Sequence, residues 1–359
     1  MAAVRVGRVA PLAAATVAAV AACNALVGND DITFFEPDVA QIDASSDVVI
    51  RPEGGDADAG PVDDGGLVVV ASEPDGGLGN VAVTPTHVYW AVDPLGQVRR
   101  MPKTGGATET FGASPPPVAT TDFAVGPDHV FVNGYGGSSA QRLPFAGGAA
   151  FLPNGCPGTR LTSGIAFAAP NVYYAVNDCA GAAVPVTLRR ASSVDAFGTS
   201  TALVEAGAPS GRAVIAADDS DVVLGAESMV VRVSPDLTEV RASAGPYPGG
   251  DEGLVVALAL EKSSVFIRHP RRVRVLARAN LATTAAVDVP NAVFARGQNR
   301  AQLAITDGFV YVGAQTGLLR ISRSTSTVET LFPGRVLGVA VDATHVYFSV
   351  DDTLYRLGL

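Results

Sequence analysis

One phrase recurs down this chain, and its repetition limits the possible folds more than any other feature. An apolar residue, then Ala, then Val six positions further on, gives VAVTPTHVY from Val81, FAVGPDHVF from Phe123, IAFAAPNVY from Ile165 and IAADDSDVV from Ile215. It continues as LALEKSSVF from Leu258, LAITDGFVY from Leu303 and VAVDATHVY from Val339. The Ala slot is filled by Ala82, Ala124, Ala166, Ala216, Ala259, Ala304 and Ala340, and the Val slot by Val88, Val130, Val172, Val222, Val265, Val310 and Val346. A sevenfold joint match at a period of about 40 residues indicates a supersecondary unit that repeats.

Within each unit the pattern reads as strand, tight turn, strand, loop, strand and a more variable fourth strand, such as TVETLF from Thr327. Four short antiparallel strands per repeat of this length predict a propeller blade, so the expected fold is all-β, a seven-bladed β-propeller of four-stranded antiparallel blades. The last unit ends at Leu359 after its third strand, while LVVVAS at residues 67–72 is a strand with no unit of its own. Pairing the two completes the seventh blade, and the expectation is a ring closed by that N-terminal strand, without the exposed edge of an open one.

The bounds that follow are a signal segment at 1–22, a tether at 23–66 and the propeller at 67–359. Arg5 and Arg8, the apolar stretch VAPLAAATVAAVAA and the small residues before Cys23 form an export signal too short and Ala-rich for a stable membrane span. Residues 24–66 hold eleven acids and one base, with much Gly and Pro, which predicts a disordered acidic tether. DADAGPVDD, within it, lacks the spacing and distal Glu of a calcium loop. The whole chain carries a formal charge of -10, and this segment accounts for it. The remainder is near neutral, so nucleic acid is not an expected partner. Three cysteines make an odd number for an exported protein unless one carries lipid, which leaves Cys156 and Cys179 as an expected disulfide on one face.

The repeated slots themselves read as core packing. An Arg flanked by apolar residues follows in every unit, at Arg100, Arg142, Arg190, Arg232, Arg278, Arg320 and Arg356. Their expected role is to pack the stem between blades and offer the guanidinium to carbonyls or an acid. His87, His129 and His345 share one repeat position, where they are expected to close a turn rather than bind metal. The residues that differ lie five positions past each Val slot: Asp93, Tyr135, Asn177, Glu227, Pro270, Gln315 and Asp351. They should encircle one mouth of the channel, and the polar six are the candidate ligand-binding ring. RHPRRVRVLAR, at residues 268–278, is expected as the exposed outer hairpin of blade five.

VAAC, at Val20–Cys23, resembles the lipobox of bacterial lipoproteins, which implies that Cys23 is lipidated and becomes the first mature residue. VYWAVDPLGQVRRMP, at residues 88–102, resembles the YWTD-type propeller repeat, in which an aromatic pair in the second strand precedes a Gly turn and an Arg. Asp93 stands one position later than that family's acid, so no packing role carries over to it. Lipobox, acidic tether and degenerate propeller together resemble the bacterial propeller lipoproteins of unassigned activity, myxobacterial ones especially. They imply a lipid-anchored protein of the cell envelope, monomeric, that binds or scaffolds protein or glycan partners and needs no cofactor. No HExxH, GxSxG, Walker loop or zinc-type Cys spacing is present, so an enzyme is the less expected class. The alternative is a lyase, hydrolase or quinoprotein dehydrogenase acting at the channel mouth.

Overall fold

The computed structural model describes residues 66–359 except 75, 94–95, 113–119, 135–140, 148–149, 152–159, 178–185, 193–200, 207–212, 249–252 and 292–301. Seven separate four-stranded antiparallel sheets are formed. Blade one comprises Gly77–Val83, His87–Asp93, Gln97–Pro102 and Glu109–Gly112. Blade five comprises Ala257–Leu260, Ser264–His269, Arg272–Ala277 and Thr283–Asp288. Blade seven takes Val339–Val341, His345–Val350 and Thr353–Gly358 from the C-terminus and Val68–Ser72 from the start of the propeller.

The N-terminal strand pairs with the last strand of the chain, Val68 opposite Arg356 and Ser72 opposite Thr353. The expected closure nevertheless needs correction. No sheet is closed by hydrogen bonds: each blade is an open four-stranded ladder with two free edges, and Val68–Ser72 becomes the outer edge of one of them. The ring is instead held by packing, because each first strand touches the first strand of the next blade all the way round.

Burial grades from the axis outward. The seven Val-slot residues are at most 3% exposed, which fits a strand packed on both faces. The outer strand Thr283–Asp288 is exposed at five of its six positions. Each second strand inserts one side into the layer towards the preceding blade and the other towards the next, following the two-residue alternation. Thus Val265 and Ile267 join a cluster with Val223 and Val255, while Phe266 joins one with Val310 and Val312.

Across a blade the repeat is a row of register partners. Ala82 faces Tyr89, Tyr89 faces Arg100, and Arg100 faces Glu109; Ala304, Tyr311, Arg320 and Glu329 repeat the row in blade six. Both Arg–Glu pairs bond, at 2.7 and 2.6 Å. Arg190, Arg232 and Arg356 instead donate to the carbonyls of Pro235, Arg278 and Lys103 in the following blade. In blade five the row reads Ala259, Phe266, Val275, so Arg278 does not occupy the slot the sequence spacing assigned to it. It lies three residues beyond, at the position of Lys103 and Arg323.

That position fastens neighbouring blades. Lys103 meets Asp342 of blade seven at 2.5 Å, Arg278 meets Asp218 of blade four at 2.6 Å, and Arg323 meets Glu261 of blade five at 2.7 Å. In each case the acid opens the turn between the first and second strands of the preceding blade. Near the axis a second set of fasteners works through amides and carboxylates. Asn80 donates to Asp122 at 3.2 Å, and Asp122 accepts the Ile165 N–H at 3.0 Å, linking three successive inner strands.

Candidate active site

Two-residue turns end the second strands of blades four to seven at one mouth, and the backbone brings the expected ring to it in part. Asp93 and Asn177 terminate the second strands of blades one and three, and Glu227, Gln315 and Asp351 begin the turns of blades four, six and seven. Tyr135 lies outside the described residues, as do Cys23, Cys156 and Cys179. Glu227 and Asp351 adopt positive φ, 51° and 50°. Their carbonyls accept the N–H groups of Val255 and Leu78, which lead into the next blade. Gln315 and Asp351 are exposed, and Glu227 is half-buried.

Blade five departs from its neighbours at this mouth. The ring position there is Pro270, but the chemistry sits one residue earlier. His269 is 1% exposed and ends the strand Ser264–His269. Its Nδ1 lies 2.9 Å from the Gly253 carbonyl oxygen and 3.1 Å from that of Leu254. Carbonyls only accept, so Nδ1 carries the proton and Nε2 presents a lone pair. Nε2 is buried, without a hydrogen-bond partner among the described residues. Burial, helped by the positive charge of Arg274, pushes the imidazole down to about 4. At neutral pH this is an uncharged base held in one tautomer.

Tyr247 faces that ring edge-on, with centroids 4.9 Å apart. It belongs to the connection from blade four and is half-exposed, with its hydroxyl buried and unbonded. Burial raises the phenol's pKa, so it stays protonated and available as a donor, while Arg274 stands 5.2 Å from the ring centroid. The Tyr247 N–H is fixed to the Ser228 carbonyl, next to Glu227. His269, Tyr247 and Glu227 therefore share the sector between blades four and five.

Arg268 precedes His269 and points to the opposite layer, on the same side as Phe266. It is 0% exposed, and among the described residues none of its three guanidinium nitrogens has a hydrogen-bond partner. Burial alone lowers it to about 9. The stretch at 268–278 is thus not an exposed outer hairpin. It joins the second and third strands, and it carries two of the most buried polar side chains among the described residues.

The opposite face holds a cleft of about 610 Å³ lined by Asp218, Asp221, Arg232, Lys262 and Arg278. Arg278 bonds Asp218 through two nitrogens and Asp221 through a third, and Arg241 also holds Asp221 at 2.8 Å. Arg278 and its two aspartates are thereby spent on joining blades four and five. His87, His129 and His345 lie at the turns of this face; their Nδ1 atoms meet Thr86, Asp128 and Thr344 at 2.9, 2.5 and 2.7 Å, local contacts within each turn. Among the described residues no group of His, Cys, Asp and Glu is placed to hold a metal ion.

The chain is thus a β-propeller with a buried, uncharged imidazole and a phenol packed together beside one mouth. Solved structures share the architecture. A streptogramin B lyase superposes with a TM-score of 0.62 at 12% identity, over 82% of this chain and 97% of that one. A catalytically inactive virginiamycin B lyase from Staphylococcus aureus, solved with quinupristin, gives 0.65 at 11%, over 82% and 99%. A computationally designed protein, Ika8, gives 0.57 at 14%, over 81% and 99%. No protein-family model and no curated protein sequence matches the chain.

These likenesses establish a seven-bladed propeller related in fold to lyases. They support nothing finer of the YWTD-type or lipoprotein resemblance. They also correct the expectation that the chain is more readily a scaffold than an enzyme. That expectation leaned on missing motifs, and two of these three propellers are lyases, so want of a contiguous motif carries no weight against catalysis on this fold.

Proposed function

We propose that the chain is an enzyme of the lyase type, with His269 as general base and Tyr247 as general acid at the mouth between blades four and five. The observation that carries this is the His269 imidazole: buried, neutral, pinned through Nδ1–H to two carbonyls, with an unsatisfied Nε2. A buried polar atom left without a partner costs stability, typically ~1–3 kcal/mol. Such a cost is kept where the atom has work to do.

Elimination needs two proton transfers. His269 Nε2 takes a proton from carbon, the C–H electron pair forms the new double bond, and the bond to the leaving group breaks as Tyr247 O–H protonates it. Substrate reaches Nε2 by displacing the Tyr247 side chain, the half-exposed cover of the imidazole. The two lyases of the same fold support this reaction class over hydrolysis.

The test begins with quinupristin, the compound solved with one structural neighbour, and extends to a panel of carbonyl compounds with ester or ether leaving groups. Elimination conserves the summed mass of substrate and creates a double bond seen by ultraviolet absorbance, whereas hydrolysis adds the mass of water. His269→Gln should cost roughly 10²–10⁴-fold in rate. Turnover unchanged in that variant, or products carrying the mass of water, would sink the proposal.

A further inference from the structure

We infer that Arg268 is the receptor for a buried carboxylate monoanion in the layer between blades five and six. The inference rests on this side chain alone and stands or falls apart from the catalytic reading.

Arg268 holds the position three residues past the Val slot. The other blades place Ala91, Asn133, Ala175, Gly225, Gly313 and Ser349 there, five of the six small. The reason is visible in three of them. A side chain on Gly225 would strike Val255 at 2.6 Å, one on Gly313 would strike the Val336 carbonyl at 2.6 Å, and Ser349 fits only by bonding Gly79 and Gly338. The site therefore favours small residues, yet blade five inserts the longest cation available.

Packing does not explain it. A fully buried charge without a counter-ion costs several kcal/mol, and an apolar side chain of the same length removes that cost. Nothing within the described residues neutralises it: its guanidinium nitrogens have no hydrogen-bond partner there, and Asp288, in the outer strand of the blade, pairs with Arg272. The neighbouring layer is apolar, built from Phe266, Val273, Val310 and Val312. Arg274, the next cation along the hairpin, stacks on Tyr247 on the other side of the sheet. One planar fork in an apolar layer matches one planar monoanion through two parallel N–H···O bonds. A phosphate dianion would leave a charge uncompensated.

Differential scanning fluorimetry at fixed ionic strength tests this, with sodium chloride replaced stepwise by formate, acetate or benzoate. The wild type should show a saturable rise in Tm with formate or acetate, roughly 5 °C at a hundredfold excess over Kd. Arg268→Met should abolish the rise and melt no lower than the wild type in chloride. A larger response to benzoate than to formate would assign the carboxylate to a bigger ligand, and the reverse order to a free small acid; either supports the site. A wild-type Tm indifferent to all three anions would overturn it, whether or not the Met variant folds. So would a rise of equal size in a folded Arg268→Met protein.

Discussion

Gln302, at the start of the inner strand of blade six, holds the backbone of Val81 in blade one. Its carboxamide oxygen accepts the Val81 N–H at 2.8 Å, and its amide donates to the Val81 carbonyl at 3.0 Å. The same oxygen accepts the Val339 N–H of blade seven at 2.9 Å. One side chain thus satisfies backbone groups in two other blades, where Val81 and Val339 are 1% and 2% exposed. Open sheets packed in a ring have no continuous ladder to define how far each blade sits from the axis, and this amide fixes three of them.

Gln302→Ala should therefore cost about 3 kcal/mol, since it strands two buried N–H groups as well as removing three bonds. Gln302→Glu keeps the acceptor and should cost less. Urea melts followed by the fluorescence of Trp90, the single Trp of the chain and 0% exposed, measure both. Equal and negligible costs would show that the contact does not bear on stability.

Arg278 joins blade five to Asp218 and Asp221 of blade four, and its loss should be felt most at neutral pH. Burial raises the Asp218 pKa, but the bonds from Arg278 and from the N–H groups of Ser220 and Asp221 outweigh it, so the folded value lies below the ordinary 3.8. A depressed folded pKa stabilises above the unfolded value and loses that contribution as pH falls through the folded one. Asp342, held by Lys103, is lowered in the same sense. Melting temperature should fall steeply below about pH 4, and Arg278→Met should flatten that limb while costing roughly 2–4 kcal/mol at pH 7. An acid limb unchanged in the variant would count against the assignment.

How much of this was readable in the residues differs between the repeated and the singular. The Ala and Val slots and the blade count were legible because seven units solve one packing problem with the same side chains. Arg278 misled because blade five puts Val275 in the Arg slot, and a neighbouring Arg then satisfied the spacing by accident. The cations at 103 and 323 were missed although their signal is present: an acid opening the first turn of one unit, and a cation three residues past the row position in the next. His269 could not be found by spacing. It lies in a hairpin whose Arg content reads as solvent-exposed, and its chemistry depends on the carbonyls of Gly253 and Leu254, which tertiary folding brings to it. Pro270, beside it, is the only apolar member of the ring position, and that irregularity was the one available hint.

The N-terminal strand supplies a prediction about edges. Glu73, just past Val68–Ser72, accepts from the Trp90 indole at 3.0 Å and pairs with Arg99, so it ties that strand to blade one as well. A protein beginning at Glu73 keeps these bonds but leaves Thr353–Gly358 as an uncovered edge and strips Val70 and Ala71 from their cluster. It should melt lower and aggregate with increasing concentration, since an unpaired strand edge templates further pairing. A synthetic peptide spanning residues 66–72 should restore the Tm. A truncated protein as stable and monodisperse as the parent would show that the fourth strand is dispensable.

The sharpest prediction concerns acid. His269 is folded in its neutral form at about 4, against 6.5 when free, so unfolding takes up a proton between these values. Stability from this group is complete above pH 6.5 and drains away as pH falls towards 4, amounting to roughly 3 kcal/mol over the window. His269→Gln, which retains an N–H for the Gly253 carbonyl, should remove that slope between pH 6.5 and 4 while leaving the carboxylate limb below it. The same group sets the expected pH–rate profile. With a base ionising near 4 and a Tyr247 acid raised above its usual 10, kcat/KM should be flat from about pH 5 to 9 and fall with unit slope on the acid side. A rate that instead climbed through pH 6.5 would mean that the catalytic imidazole titrates as a free one, and therefore that the pinned, buried His269 is not it.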